Sequence, residues 1–230
     1  MRIPLWKRLL DVTSILLALP LILPVFLLVV LWIKIVSPGS LFFVQKRVGL
    51  GGRPFMLFKF RTMRENVETA GHEKHFAELM AANVPMIKLD ALGDRRIIPG
   101  GRILRASGLD ELPQLLNILR GEMSLVGPRP CTLNEWEWFN ARERERVQAA
   151  PGLTGYWQVN GKNSTTFLEM IDMDIWYTKN LCLSVDLNII LRTIPAILAQ
   201  ALKRKGASLP SPSVLEEVTP PEEDPEVVRP

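Results

Sequence analysis

The residues with the most chemistry between them lie in Ser107–Gly121, SGLDELPQLLNILRG. Asp110 and Glu111 stand side by side, followed by Pro113 and a leucine-rich run. Arg102 and Arg105 precede the pair; Arg120 and Arg129 follow it. As local structure, Asp110 suits a helix N-cap, Glu111 favours the positive helix start, and Pro113 is tolerated in a first turn. Leu109, Leu112, Leu115, Leu116 and Leu119 then form a buried stripe, and Gly121 ends the helix. As chemistry, a helix start among arginines is an anion site, and carboxylates placed in it suit a divalent metal that bridges them to phosphate. Both readings stand on these residues alone.

Other side chains widen the chemical case. In EMSLVGPRP, Pro128 and Pro130 stiffen the backbone around Arg129, which suits a guanidinium held for bidentate phosphate contact. Arg129 could equally pair with Glu122 or Glu135. Lys59 shares a strand face with Phe55, Leu57 and Arg61, as an anion contact or as a solvated strand residue. Asp172-Met173-Asp174 has the D-x-D look of a metal-dependent glycosyltransferase, but on a helix the two carboxylates point apart. His72 and His75 lack the i, i+4 spacing of a zinc helix. Cys131 and Cys182 form neither a metal spacing nor a disulfide framework, which points to a reducing compartment.

The elements that must position these groups predict a helix-rich α+β fold. LFFVQKR (41–47) and PFMLFKF (54–60), with Gly49, Gly51 and Gly52 between them, predict a short β-hairpin. Residues 65–80 have a helical pattern, and RERERV (142–147) reads as a solvated helix face. DLNIILRTIPAILAQALKRK (186–205) is an apolar helix with a basic end, suited to a core or to a membrane interface. Six tryptophans fit an interfacial lip or a core.

Residues 12–33 carry no charge over 22 positions, and a bilayer core needs about 20 in a straight helix. Pro20 and Pro24 interrupt that run. Arg2, Lys7 and Arg8 precede it, and seven Lys and Arg residues follow it before Glu65, the next acid. The positive-inside rule then asks for both ends in the cytoplasm. A re-entrant helix bent at Pro20 and Pro24 satisfies both flanks, and a spanning helix does not. The expected organisation is an anchor over 1–36, a cytoplasmic domain over 37–205, and a disordered tail over 206–230 with six prolines and six acids. Without the tail the chain holds 27 Lys and Arg against 18 Asp and Glu, a net +9 that suits nucleic acid, anionic lipid or phosphorylated small molecules.

Five blocks occur in order: KRLLDV, KFRTM (59–63), LDELPQLLNILRGEMSLVGPRP (109–130), PGLTGYWQVNGKN (151–163) and DIWYTKN (174–180). Together they closely resemble the bacterial sugar transferase family, the monotopic phosphoglycosyl transferases, over roughly residues 5–205. The length resembles the minimal form, without the extra N-terminal spanning helices of larger members. The resemblance implies transfer of a sugar phosphate from a UDP-sugar to undecaprenyl phosphate at the first membrane step of bacterial glycoconjugate synthesis, with UMP released. It implies Asp110 as nucleophile, Glu111 in metal or proton management, Mg2+ held by Asp110 and Glu111, and Lys59, Arg105, Arg129 and Asp174 lining the site. It places the catalytic domain on the cytoplasmic face of the bacterial inner membrane, against an anionic bilayer, with no nucleic-acid partner. An exposed anchor and aromatic surfaces permit a homodimer.

The chain departs from the family in places. Leu23-Pro24 stands where a Ser-Pro pair is common, with Pro20 one turn earlier, which bears on the bend angle. Gly108 stands where Ser or Thr is common, just before the acidic pair. Residues 65–100 match poorly and are unassigned. A non-enzymatic basic membrane module would explain the charge and the anchor, but not Asp110-Glu111 or the rigid Gly-Pro-Arg-Pro loop.

Overall fold

The computed structural model describes residues 1–64, 96–161 and 165–203, with side chains described as far as residue 196. The predicted helix over 65–80, His72, His75 and the tail over 206–230 lie outside the described residues.

The first element is a 32-residue helix, α1 (Leu5–Val36), which runs through both Pro20 and Pro24. Its buried residues, Lys7, Asp11, Ile15, Val29 and Ile33, lie near the two ends. Ile15 packs with Phe55, Leu57, Ile118 and Met123. Val29 and Ile33 pack with Phe60, Ile98 and Leu104. The Phe26 and Phe60 rings lie 4.9 Å apart. Both ends of α1 therefore contact one domain, while Leu16, Leu17, Leu21, Leu23 and Leu27 between them are exposed.

The hairpin forms where the β-prone runs predict it. β1 (Phe42–Val48) and β2 (Pro54–Phe60) pair antiparallel from Phe42 opposite Phe60 to Val48 opposite Pro54. After α2 (Gly101–Ser107), a 3-10 turn at Leu109–Glu111 leads into α3 (Gln114–Arg120). β3 (Ser124–Val126) follows, then the two-residue β4 (Cys131–Thr132), which extends the hairpin into a three-stranded sheet by pairing with Arg47 and Val48. β4 passes directly into α4 (Leu133–Trp138). A 3-10 segment at Glu143–Gln148 leads to β5 (Gly152–Thr154), which pairs parallel with β3. Three helices complete the described chain: α5 (Tyr156–Asn160), α6 (Phe167–Lys179) and α7 (Leu183–Lys203). This is the expected helix-rich α+β architecture.

Periodicity explains α6. Thr166 and Glu169 form a capping box, and Phe167, Met170, Ile171, Asp174 and Ile175 fall on one buried face. Helix α7 shows both faces anticipated for 186–205. Asp186 and Ile189 are buried, whereas Leu183, Leu187, Leu191 and Ile194 form an exposed apolar stripe at i, i+4, i+8 and i+11.

Two sequence expectations are corrected. The leucine stripe of 109–119 is buried only in part: Leu109, Leu112 and Leu115 pack against the core, but Leu116 and Leu119 are 43% and 44% exposed, and Gln114, Asn117 and Ile118 turn inward. Asn117 explains the rotation. Its Oδ1 accepts from the Phe58 N–H at 3.1 Å, and its Nδ2 donates to the Met56 carbonyl at 2.7 Å and to Glu122 Oε2 at 2.6 Å. The side-chain amide thus satisfies the free edge of β2 as a neighbouring strand would. The RERERV run is not uniformly solvated either: Arg146 is 1% exposed, because its guanidinium pairs with buried Asp174. The tryptophans divide. Trp157 is core, while Trp32, Trp138 and Trp176 are exposed.

Candidate active site

The acidic pair sits in the turn between α2 and α3. Gly108 adopts φ 74°, a left-handed conformation that ends α2 and that other residues reach only with strain. The chain then tightens into the 3-10 turn, with Asp110 only 8% exposed. Asp110 is not a helix cap: the capping positions belong to Gly108 and Pro113, and neither makes a side-chain capping bond. Glu111 Oε1 accepts from Lys59 Nζ at 2.7 Å, which ties the turn to β2. Arg105, on the last turn of α2, donates to Thr62 Oγ1 at 3.4 Å. Lys59, Arg105, Asp110 and Glu111 thus come from three elements that meet at the C-terminal end of β2.

Arg129 is held by a different construction. The loop Gly127-Pro128-Arg129-Pro130 leaves β3 against the β5 segment. A Cβ on Gly127 would lie 2.1 Å from the Ala150 carbonyl, and one on Gly152 would lie 2.1 Å from the Gly127 nitrogen. The two backbones can approach this closely only because both residues are glycine. Gly152 N–H then donates to the Pro128 carbonyl at 2.9 Å. Three side chains fasten the rest. Arg47 Nη1 donates to the Pro130 carbonyl at 3.1 Å, and Arg146 Nη2 to the Arg129 carbonyl at 2.9 Å. Glu135 accepts from Arg129 Nη1 with both oxygens at 3.2 Å. Glu135 is itself fixed by the capping box that opens α4, where its carboxylate accepts from the Thr132 N–H.

The electrostatics follow from crowding three arginines around buried carboxylates. Burial alone would raise Glu135, but Arg129, Arg47 and Arg146 outweigh it and hold the carboxyl below its ordinary range. Burial opposes the charge on Arg129, and Glu135 reverses this and raises it. Arg47 is lowered to about 10 by burial and by Arg129, with Glu135, Cys131 and Glu111 opposing. Three cations against Glu135 and Asp174 leave an excess positive charge suited to an anion.

A model of the family described as "Bacterial sugar transferase" matches residues 3–200. The chain belongs to the bacterial sugar transferase family. It is 40% identical over 191 residues to the exopolysaccharide production protein ExoY of Sinorhizobium fredii, covering 83% of this chain and 84% of that one. It is 44% identical over 200 residues to the UDP-glucose:undecaprenyl-phosphate glucose-1-phosphate transferase of Caulobacter vibrioides, covering 84% of this chain and 69% of the relative. Against the undecaprenyl-phosphate galactose phosphotransferase of Salmonella typhimurium it is 35% identical over 208 residues, 87% of this chain but 41% of that longer protein.

Within this sugar transferase, Asp174 stands apart from the other residues expected at the site. It is 1% exposed and paired with Arg146, behind the arginine loop. Asp172 points outward to Arg142 at 2.6 Å, so Asp172 and Asp174 do not form a metal pair. Among the described residues, no group of three or more His, Cys, Asp and Glu side chains could hold a metal ion. Asp110 and Glu111 remain as adjacent carboxylate donors. That set fits Mg2+, which takes one or two carboxylates and completes its shell with phosphate oxygens and water.

Sequence reasoning offered Glu135 as a partner of Arg129, which the structure bears out, and missed Arg47 and Arg146 as the rest of the supporting group. The Thr132-x-x-Glu135 capping-box spacing was readable; Arg146, inside an alternating charge run, carried no signal. The KRLLDV block also gains a physical meaning. Lys7 pairs with Asp186 and donates to the Tyr177 hydroxyl at 2.9 Å. Arg8 donates to the Leu119 carbonyl at 2.9 Å. Asp11 Oδ1 accepts from Ser124 Oγ and the Leu125 N–H, both at 2.9 Å. This block locks the start of α1 to α3, β3, α6 and α7, the frame that carries the site.

Proposed function

We propose that this sugar transferase moves a sugar 1-phosphate from a UDP-sugar to undecaprenyl phosphate through a covalent intermediate on Asp110. A carboxylate oxygen of Asp110 attacks the sugar-bearing phosphorus, the bond from that phosphorus to the oxygen it shares with the uridine-bearing phosphate breaks, and UMP leaves. An oxygen of undecaprenyl phosphate then attacks the same phosphorus. The bond to Asp110 breaks, the carboxylate is restored, and a polyprenyl diphosphate sugar is formed. Carboxylates serve as covalent nucleophiles at phosphorus, and phosphoryl transfer needs chiefly in-line positioning and charge neutralisation.

The observation that carries this reading is the setting of Asp110: a largely buried carboxylate that caps no helix, next to a glutamate bonded to Lys59. Lys59 and Arg105 flank the transferred phosphate, and Arg129, stiffened by its loop, neutralises the diphosphate. Glu111 orients Lys59. Asp110 and Glu111 would hold Mg2+, which when bound supplies further neutralisation of phosphate charge. Asp174 acts through Arg146 on the Arg129 loop and has no direct contact with substrate.

The topology belongs to the same proposal. Helix α1 dips into the cytoplasmic leaflet of the bacterial inner membrane and returns, bending at Pro20 and Pro24, with the catalytic domain on the cytoplasmic face. Basic flanks on both sides and the contacts of both ends with one domain support it. The exposed stripes of α1 and α7 supply the apolar surface.

The test is nucleotide release from a panel of UDP-sugars with undecaprenyl phosphate and Mg2+. UMP released with one donor in a lipid-dependent turnover is expected. Release of UDP would instead assign ordinary glycosyl transfer.

A further inference from the structure

A cavity open to solvent lies beside the end of α1, and none of its lining residues belongs to the acidic pair. It holds about 420 Å3 and is lined by Arg64, Arg102, Ile97, Ile98, Pro99 and Ile103. That volume falls in the range of small-molecule sites. Its wall is built from the Met63–Ile97 bridge and the turn at Pro99-Gly100. Trp32, on the last turns of α1, donates its indole N–H to the Pro99 carbonyl at 3.1 Å. Gly100 adopts φ 75°, and a Cβ there would lie 2.6 Å from the Trp32 indole nitrogen, so the helix end and the cavity rim meet closely.

The lining has two chemistries. Neither the Arg64 nor the Arg102 guanidinium makes a hydrogen bond or an ion pair with another described residue, and both are exposed. Beside them stands Ile103, 71% exposed, and the exposed Trp32 of α1 meets the rim. Two cations over an apolar surface, at the end of a membrane helix, match a phosphate-headed lipid. A nucleotide sugar would leave the isoleucines without a use.

The cavity also lies on a path. From Lys59 near the end of β2, the chain runs on past the bridge at Met63 to Arg64 at the cavity. Arg102 and Arg105 stand three residues apart on α2, which leads directly to Asp110. Both runs have the cavity at one end and the candidate active site at the other.

We infer that this cavity is the docking site of the lipid carrier, with its phosphate between Arg64 and Arg102 and its first isoprene units on Ile97 and Ile103. From there the phosphate passes along Arg105 to Asp110. The inference rests on the proposed use of undecaprenyl phosphate as acceptor.

The experiment uses the full chain in phosphatidylethanolamine–phosphatidylglycerol nanodiscs with a diazirine-bearing polyprenyl phosphate. Crosslinked peptides are mapped by mass spectrometry. Adducts within residues 96–105 are expected, competed by undecaprenyl phosphate but not by undecaprenol, inorganic phosphate or added phosphatidylglycerol. Adducts confined to α1 or α7, or competition by inorganic phosphate or phosphatidylglycerol, would overturn the inference. The double variant Arg64→Gln/Arg102→Gln gives a second measure. Its KM for undecaprenyl phosphate is expected to rise about tenfold or more, while the lipid-independent burst of UMP keeps its rate. An unchanged KM with an intact burst would overturn the docking site. Absence of any burst in the wild type would instead strike the covalent mechanism, and the crosslinking map would still decide the cavity.

Discussion

Among single residues, side chains with no substrate contact hold those proposed to have one. Glu135 is held below its ordinary value of 4.5 by Arg129, Arg47 and Arg146 against the opposing effect of burial. A depressed carboxylate stabilises the fold above its unfolded value, and that contribution is lost as pH falls through the folded value. The thermal stability gap between wild type and Glu135→Gln should therefore be widest above pH 4.5 and close progressively below it. A gap independent of pH would show that the ion pair does not stabilise the loop. Asp174→Asn leaves the Arg146 guanidinium buried without its counter-charge, a change that typically costs about 3–5 kcal/mol. Urea unfolding should show it, and replacing both partners with apolar residues should recover much of it. Arg129→Ala should cut turnover and also lower the unfolding midpoint, because buried Glu135 then keeps only Arg47 and Arg146 as counter-charges; Arg129→Lys, which keeps a cation, should cut turnover with a smaller midpoint shift, and unchanged kinetics in both would take Arg129 out of the site. Of the residues proposed for the site, Lys59, Asp110, Glu111 and Arg129 lie in short blocks readable in the sequence, and Arg105 stands just before one of them. Arg146 could not, because its partner lies 28 residues away and only the packing of α6 brings the two together.

Among the elements, glycines decide where segments can meet. Gly108 has φ 74°, and a methyl group added there would have nothing within 4 Å, so Gly108→Ala should cost only the left-handed backbone strain, about 1–2 kcal/mol. Gly152→Ala should cost more, since its Cβ would strike the Gly127 backbone at 2.1 Å and push the Arg129 loop away. Comparing the two by denaturant midpoint and by KM for the UDP-sugar separates strain from displacement: only Gly152→Ala should move KM. Local pattern made the hairpin, α1 and α6 readable, since each follows from strand residues, an apolar run or a capped amphipathic period. It misplaced part of the buried face of α3. A seven-residue helix is oriented by its neighbours, and here the Asn117 amide docks on β2 and turns Leu116 and Leu119 outward. The parallel β3–β5 pair was also hidden, because its strands are three residues each and lie 28 residues apart.

In the molecule as a whole, the anchor and the catalytic frame are one construction. Lys7, Arg8 and Asp11 fasten the start of α1 beneath β3 and α7, and Ile33 and Trp32 fasten its end beside α2. Lys7→Met should release the first turns of α1 and leave buried Asp186 with the Tyr177 hydroxyl but without its counter-charge, with a loss of about 3–5 kcal/mol. Cysteines placed before residue 5 and after residue 37 should both label from the cytoplasmic side; labelling of the first from outside would restore a spanning helix. Everything proposed for the reaction depends on a sugar phosphate resting on Asp110 between the two substrates. Intact-protein mass spectrometry, after mixing enzyme, Mg2+ and a UDP-sugar without lipid, reads that state directly. A mass increase of one sugar phosphate per chain is expected, mapped to Asp110, absent in Asp110→Asn and discharged by undecaprenyl phosphate. An unmodified chain with the donor that supports turnover would rule the intermediate out, because transfer would then proceed in one step without the carboxylate.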